Sequence, residues 1–181
     1  DRGIREHVDH AKMAALKTVF GADGATTAAN SSQLSDGAAA LLIAERGFAE
    51  RHGLIPRAGF RALSVAGADP IVQFTAILDA TRKALKTAGL GIDDIDLFEV
   101  NEAFAGVPIM FARELGVPED KLNVNGGSVA IGHPLGSTGA RMLTDLLCEL
   151  ERSGKTLGLQ TICEAGGTAN ATIVEVYKDV K

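Results

Sequence analysis

Three side chains in this sequence could carry chemistry: His133 and Cys163 as groups that take up or release a proton, and Asn101 as an amide that orients what they act on. His133 lies in the run Asn125-Gly-Gly-Ser-Val-Ala-Ile-Gly-His-Pro-Leu-Gly-Ser-Thr-Gly-Ala-Arg141, directly between Gly132 and Pro134. Glycine permits close backbone approach, and proline steers the residue before it away from helical geometry. The histidine is therefore expected in a constrained loop at the mouth of a helix. An imidazole there can activate a thiol or donate to an oxyanion, although an arbitrary histidine is more often structural. Cys163 precedes the small-residue run Glu164-Ala-Gly-Gly-Thr-Ala169. It reads either as an inert buried thiol or as a thiolate base or nucleophile with room for a substrate. Asn101 and Glu102 open a helix after a strand, which an N-cap explains locally. An amide that orients a water or an oxyanion is the chemical alternative.

Each of these residues must be held by an element, and the pattern predicts which. Ile95 to Val100 reads as a buried strand that empties into Asn101, followed by a helix from Ala103 to Leu115 closed by Gly116. Leu122 to Val124 reads as a second strand before the histidine loop, and Thr138 to Ser153 as the helix after it, closed by Gly154. Leu157 to Ile162 forms a strand leading to Cys163, and Thr172 to Tyr177 a final strand. Upstream, Phe60 to Ala66 is a strand and Ile71 to Ala88 an amphipathic helix, with Asp69 and Pro70 at its start and Gly89 as its C-cap. Glu45 to His52 is a short helix, His10 to Phe20 a short amphipathic stretch, and Ala38 to Ala44 a buried strand or helix start. In layered α/β folds ligands collect where strand C-termini meet helix N-termini, so three polar loops at such ends predict a composite site.

Composition removes several alternatives. The chain has 181 residues, 46% hydrophobic and 23% charged, which suits one globular domain or one and a half. Aromatic residues make up 4%, Trp is absent and there are 21 glycines, so the core must be built mostly from Ala, Val, Leu and Ile, with tight backbone approaches. A net charge of −5 gives no basic surface for nucleic acid. No apolar run approaches the roughly 20 residues that span a bilayer. Asp1 to Glu6 do not resemble a signal peptide or a natural start. The two cysteines, Cys148 and Cys163, do not form a disulfide framework. Cys148 falls among Met142, Leu143, Leu146, Leu147 and Leu150 and is expected in the core. No zinc-type spacing occurs, and Asp93, Asp94 and Asp96 read as a solvated turn rather than a metal site. A papain-like protease is discounted because the local signatures are absent and the chain order is wrong.

The motifs together resemble the C-terminal half of a thiolase. The resemblance rests on Asn101-Glu-Ala-Phe-Ala105, on Asn125-Gly-Gly through Gly132-His-Pro-Leu-Gly-Ser-Thr-Gly-Ala-Arg141, and on Cys163-Glu-Ala-Gly-Gly167, in that order. Thr27 to Ala40 is similar to the family's pantetheine-side loop and following strand, so the resemblance runs the whole chain. It implies an α/β thiolase-like layered fold, a mixed sheet flanked by helices. Residues 1–33 would end the loop region, 34–56 complete the N-terminal domain and 57–181 form the C-terminal domain.

The resemblance also implies acyl transfer between 3-ketoacyl-CoA and CoA through an acyl-cysteine. His133 would activate the nucleophilic thiol, Asn101 would hold an oxyanion-hole water, and Cys163 would be the acid/base. The N–H of Ala165, usually Gly in the family, would help form a second oxyanion hole. Ser32 would contact the pantetheine arm and Phe104 would line the pocket. No cofactor or metal is implied; the coenzyme A thioester is a substrate. A homo-oligomer, dimer or tetramer, is implied, and bacterial cytosol is the expected setting, with an organellar matrix as the alternative. The family's nucleophilic cysteine lies in its N-terminal half, and neither cysteine here replaces it. The polypeptide alone is therefore expected to be inactive, a piece of a longer chain or a split subunit. A ketoacyl synthase, which carries His or Asn where Cys163 stands, and a non-catalytic subunit of a hetero-oligomer are the competing readings.

Overall fold

A computed structural model describes residues 6–177. Asp1 to Arg5, most of the stretch read for a signal peptide, lie outside the described residues. One sheet organises the molecule, built from β1 (Ala58–Gly67), β2 (Leu97–Val100), β3 (Leu157–Glu164) and β4 (Thr168–Val176) in the order β1-β4-β3-β2. β2 and β3 are parallel, while β4 runs antiparallel to both β3 and β1. The sheet is thus mixed, and helices cover its two faces.

α3 (Ala76–Ala88) and α4 (Gly106–Leu115) pack on one face around Ile77, Phe98, Val100, Phe111, Leu159 and Ile173. α6 (Thr138–Ser153) covers the other face through Leu143, Leu146 and Leu150 against Leu97, Val174 and Val176. The core under α6 is aliphatic, and the other is mostly aliphatic around one edge-on aromatic pair, Phe98 and Phe111, 6.0 Å between ring centroids. The sheet approaches α6 closely because Gly158 lacks a side chain; a Cβ there would meet the methyls of Leu146 and Leu150 at 2.8–2.9 Å. α6 leaves the outer face of β1 uncovered, where Leu63 and Val65 are exposed. Two short helices, α1 (His10–Ala14) and α2 (Arg46–Arg51), lie upstream of the sheet, and α5 (Ser128–Ile131) is a single turn before the histidine loop.

Gly89, Gly116 and Gly154 all adopt left-handed C-cap geometry, as expected of glycine after a helix. Other boundaries differ from the sequence expectation, each for a local reason. The helix expected from Ile71 begins only at Ala76. Asp69 Oδ1 accepts from Ile71 N at 2.7 Å, and Gln73 has a φ of 61°, so a side-chain-stabilised turn outcompetes the first helical turn. Ile71, expected on the apolar stripe, is exposed. α4 starts at Gly106 rather than Ala103, because residues 103–105 pair with residues 30–32 instead. Leu122 to Val124 is not a strand and contributes a single bridge, Phe98 to Leu122. Asn123 explains this: its amide accepts from Val100 N at 2.8 Å and donates to Val100 O at 2.9 Å, supplying with a side chain what a neighbouring strand would supply with backbone.

Ala38 to Ala44 has no regular structure, with Leu42 and Ile43 exposed. Among the described residues no strand pairs with it. The amphipathic stretch from His10 shrinks to α1, none of whose residues is buried. Cys148 is exposed rather than in the core. It lies beside the α6 stripe and faces Arg57, whose guanidinium is 3.5 Å from the sulfur.

Candidate active site

β2 ends at Val100, and its next residue, Asn101, is fully buried and still tied to the sheet through its N–H to Thr161 O at 3.0 Å. From that anchor its side chain reaches the histidine loop: Asn101 Nδ2 is 3.3 Å from His133 Nε2. It also stands against the Cys163 thiol, close enough to favour the thiolate. The three residues singled out from sequence, at least 30 positions apart along the chain, therefore converge on one spot.

The His133 ring is oriented from behind. Its Nδ1 lies 2.7 Å from Thr138 Oγ1, and that hydroxyl donates to Pro134 O at 2.9 Å. A hydroxyl has a single proton, so Thr138 must accept from His133, placing the imidazole proton on Nδ1. Nε2 is left with a free lone pair facing Asn101, the form a general base requires. Burial holds the His133 pKa below its ordinary value, and the nearby Arg141 charge acts in the same direction. The ring stays neutral near pH 7 and is available to take a proton.

Cys163 sits within β3, opposite Ala169 on β4, not just beyond a strand end. Burial pushes its thiol above the ordinary range and the Glu164 carboxylate adds to this; its own backbone N–H and Asn101 oppose them. The β3–β4 hairpin beyond it turns at Ala165 to Gly167. Gly166 and Gly167 have φ of 78° and 81°, a region that admits glycine with little strain. Glu164 clamps the hairpin, accepting from Asn170 Nδ2 at 2.9 Å and Thr168 Oγ1 at 3.1 Å. Ala165 lies exposed at the tip.

A third segment closes over these loops. Ser32 donates through N and Oγ to Ala103 O, both at 3.1 Å, Ala105 N donates to Asn30 O at 2.8 Å, and His133 N donates to Gln33 O at 2.9 Å. Ser32 thus stitches the Asn101 loop to the 30–35 strap. Phe104 packs edge-on against Phe20 and Phe74, both at 5.5 Å between ring centroids.

Several residues at the site were not singled out by sequence reasoning. Thr138 orients the imidazole; a hydroxyl in the first turn after His-Pro was the available signal. Glu102, read from the sequence as opening a helix, instead accepts from Asn123 Nδ2 at 2.8 Å and Val129 N at 3.0 Å, tying the Asn101 loop to the turn before His133. Ser128 and Arg141 lie behind Asn101 and had no signal beyond membership of the glycine-rich run. Glu99 is buried, and desolvation with the charge of Asp145 pushes its pKa up to about 8. The acids expected in a turn serve as backbone acceptors. Asp94 Oδ2 takes Gly91 N at 2.8 Å, and Asp96 Oδ2 takes Thr156 N and Leu157 N, both at 2.9 Å. Among the described residues no helix is long and apolar enough to cross a membrane.

Comparison with known proteins bears on what this arrangement is. Residues 54–176 match the family model of the thiolase C-terminal domain, and residues 1–47 that of the thiolase N-terminal domain. The chain is 50% identical over 175 residues to the steroid 3-ketoacyl-CoA thiolase of Mycobacterium tuberculosis, covering 97% of this chain and 42% of that protein. It is 44% identical over 176 residues to the 3-ketoacyl-CoA thiolase of Bacillus subtilis, covering 97% and 45%. The fold superposes on the Bacillus anthracis acetyl-CoA acetyltransferase with a TM-score of 0.93 at 39% identity, over 98% of this chain and 45% of that one. On human mitochondrial 3-ketoacyl-CoA thiolase, solved also in complex with CoA, the TM-score is 0.89 at 35% identity, over 97% and 44%. The chain thus spans a little under half the length of the relatives it matches. By its sequence, its mixed α/β fold and the convergence of its three motif residues, the chain belongs to the thiolase family.

Proposed function

We propose that this chain supplies the C-terminal part of a thiolase active site, which exchanges acyl groups between 3-ketoacyl-CoA and CoA through an acyl-cysteine. The observation that carries the reading is the approach of Asn101 Nδ2 to His133 Nε2 at 3.3 Å, at the end of a strand paired with the one that carries the buried Cys163. His133, with Nε2 unprotonated, takes the proton of a nucleophilic thiol contributed by the N-terminal thiolase part. Asn101 holds the water that completes the oxyanion hole at the thioester oxygen. Cys163 gives its proton to the departing α-carbon in cleavage and regains one from the CoA thiol as that sulfur attacks the acyl-cysteine, whose thiolate is reprotonated by His133; in condensation the same transfers run in reverse. The Ala165 N–H serves the second oxyanion hole; Ala for Gly keeps the donor. Ser32 and Phe104 border the pantetheine arm and the acyl group.

Both steps develop negative charge on thioester oxygens. Preorganised donors therefore carry much of the rate, about 100- to 1,000-fold for each. The scheme asks for no cofactor, since the coenzyme A thioester is itself the substrate. Assembly as a homodimer or homotetramer and a reducing cytosolic setting belong to the same reading.

Neither cysteine of the chain is placed to be the acyl carrier: Cys163 has the acid/base position and Cys148 faces Arg57 on α6. The 181-residue polypeptide alone is therefore expected to show no thiolysis of acetoacetyl-CoA. In the enzyme completed with its N-terminal part, Cys163→Ala should reduce exchange by about 100-fold or more. Robust turnover by the isolated polypeptide, or full exchange in that variant, would overturn the proposal.

A further inference from the structure

Behind Asn101 runs a chain of polar contacts that the proposed chemistry does not use. Arg141 Nη2 donates to Ser128 Oγ at 3.0 Å, and Ser128 Oγ donates to Asn101 Oδ1 at 2.9 Å. Both Ser128 and Asn101 are 1% exposed, so water does not compete. The direction of the chain is forced. A guanidinium has only donors, so the Ser128 hydroxyl accepts from Arg141 and its proton is left for Asn101. With Oδ1 thus occupied, Nδ2 must point towards His133 Nε2 and Cys163.

We propose that Ser128, backed by Arg141, is a positioning residue that sets which end of the Asn101 amide faces the reacting groups. The inference rests on the thiolase reading for its kinetic consequence, but not for its geometry. An asparagine amide is nearly symmetric in shape and opposite in polarity at its two ends. In the observed orientation it presents N–H groups, which suit a water or an oxygen gaining negative charge. In the flipped orientation Oδ1 would face Nε2, repelling the lone pair of the neutral ring and rewarding its protonation. The hydroxyl thus selects between a site that stabilises an oxyanion and one that traps an imidazolium. Sequence order explains why one residue can do this. Ser128 opens α5, and Arg141 is in the first turn of α6, so the loop carrying His133 is bracketed by the two groups that orient its partner.

The test is Ser128→Ala, read in two ways. The first is the NMR titration of His133 in the chain itself. Arg141 is the charged group acting on His133, and it remains in the variant. Cys163 is the titratable group reached through Asn101. Flipping the amide should raise the His133 pKa by about one unit, because the ring N–H then donates to an acceptor. The second is kinetics in the completed enzyme, where kcat should fall about 10- to 100-fold with KM little changed. Ser128→Cys, similar in shape and a weaker donor, should move both readouts the same way by less, and serves if the alanine variant does not fold. An unchanged His133 titration in a folded variant overturns the relay, whatever the activity. A shifted titration with unchanged exchange upholds the relay and overturns the thiolase role of Asn101 and His133.

Discussion

Gly127 is followed by the buried Ser128 and faces the carboxylate of Glu102, so close that a Cβ at residue 127 would overlap it. Gly127→Ala isolates the value of that carboxylate. The backbone at 127 has φ −145° and ψ −162°, extended geometry open to any residue, so the substitution should cost nothing in strain. The Glu102 side chain can swing away, but only by releasing Asn123 Nδ2 and Val129 N. Hydrogen bonds to a charged group contribute about 1.5–3 kcal/mol each. Glu102 is half-buried, and the low end of that range gives about 3 kcal/mol for the pair. Equilibrium urea unfolding of the chain followed by circular dichroism, with an unchanged m-value, should show this loss. For a chain of this length it corresponds to a fall in Tm of roughly 6–12 °C. In a Glu102→Ala background the same substitution should cost under about 1 kcal/mol, a coupling near 2 kcal/mol. Equal cost in both backgrounds would refute the claim that Glu102 is what the glycine accommodates.

Two further outcomes follow from the site. Glu99 is buried and its pKa lies near 8 in the folded chain, above its unfolded value, so folding binds a proton. Its contribution is complete below the unfolded pKa and is lost as pH rises through the folded one. Glu99→Gln should be equal in stability to the parent near pH 4 and more stable at pH 9 by on the order of 3 kcal/mol; parallel urea midpoints at the two pH values would contradict this. Thr138→Val keeps shape but removes the acceptor that places the His133 proton on Nδ1. It should lower exchange in the completed enzyme about 10-fold or more and stability by about 1 kcal/mol, read by initial rates and thermal melts. An unaltered rate would mean the tautomer is set elsewhere.

Where local chemistry has no competitor, the chain was legible. α6 runs from Thr138 to Ser153 as its 3.6-residue periodicity and terminal glycine require, and the caps at Gly89 and Gly116 follow from glycine's freedom at left-handed geometry. The errors cluster where a side chain or a distant segment takes over the backbone's hydrogen bonds. Asn123 takes the place of a strand, Asp69 that of a helical turn, and the 30–35 strap holds residues 103–105 out of α4. Cys148 illustrates a different failure, since one helical position separates an apolar neighbourhood in sequence from an exposed face in space.

Residue types and their order carried the family, the aliphatic core, and the three residues on which the chemistry is proposed to rest, because glycine, proline and motif spacing act over a few positions. Those short-range rules could not say that Asn101 lies between His133 and Cys163, nor which nitrogen of His133 holds the proton. Long-range pairing decided that: β2 delivers Asn101 beside β3, and the hydroxyls of Thr138 and Ser128 then favour one ring tautomer and one amide orientation. A histidine recognisable in a string of glycines has its proton fixed only by the partners that the fold brings to it.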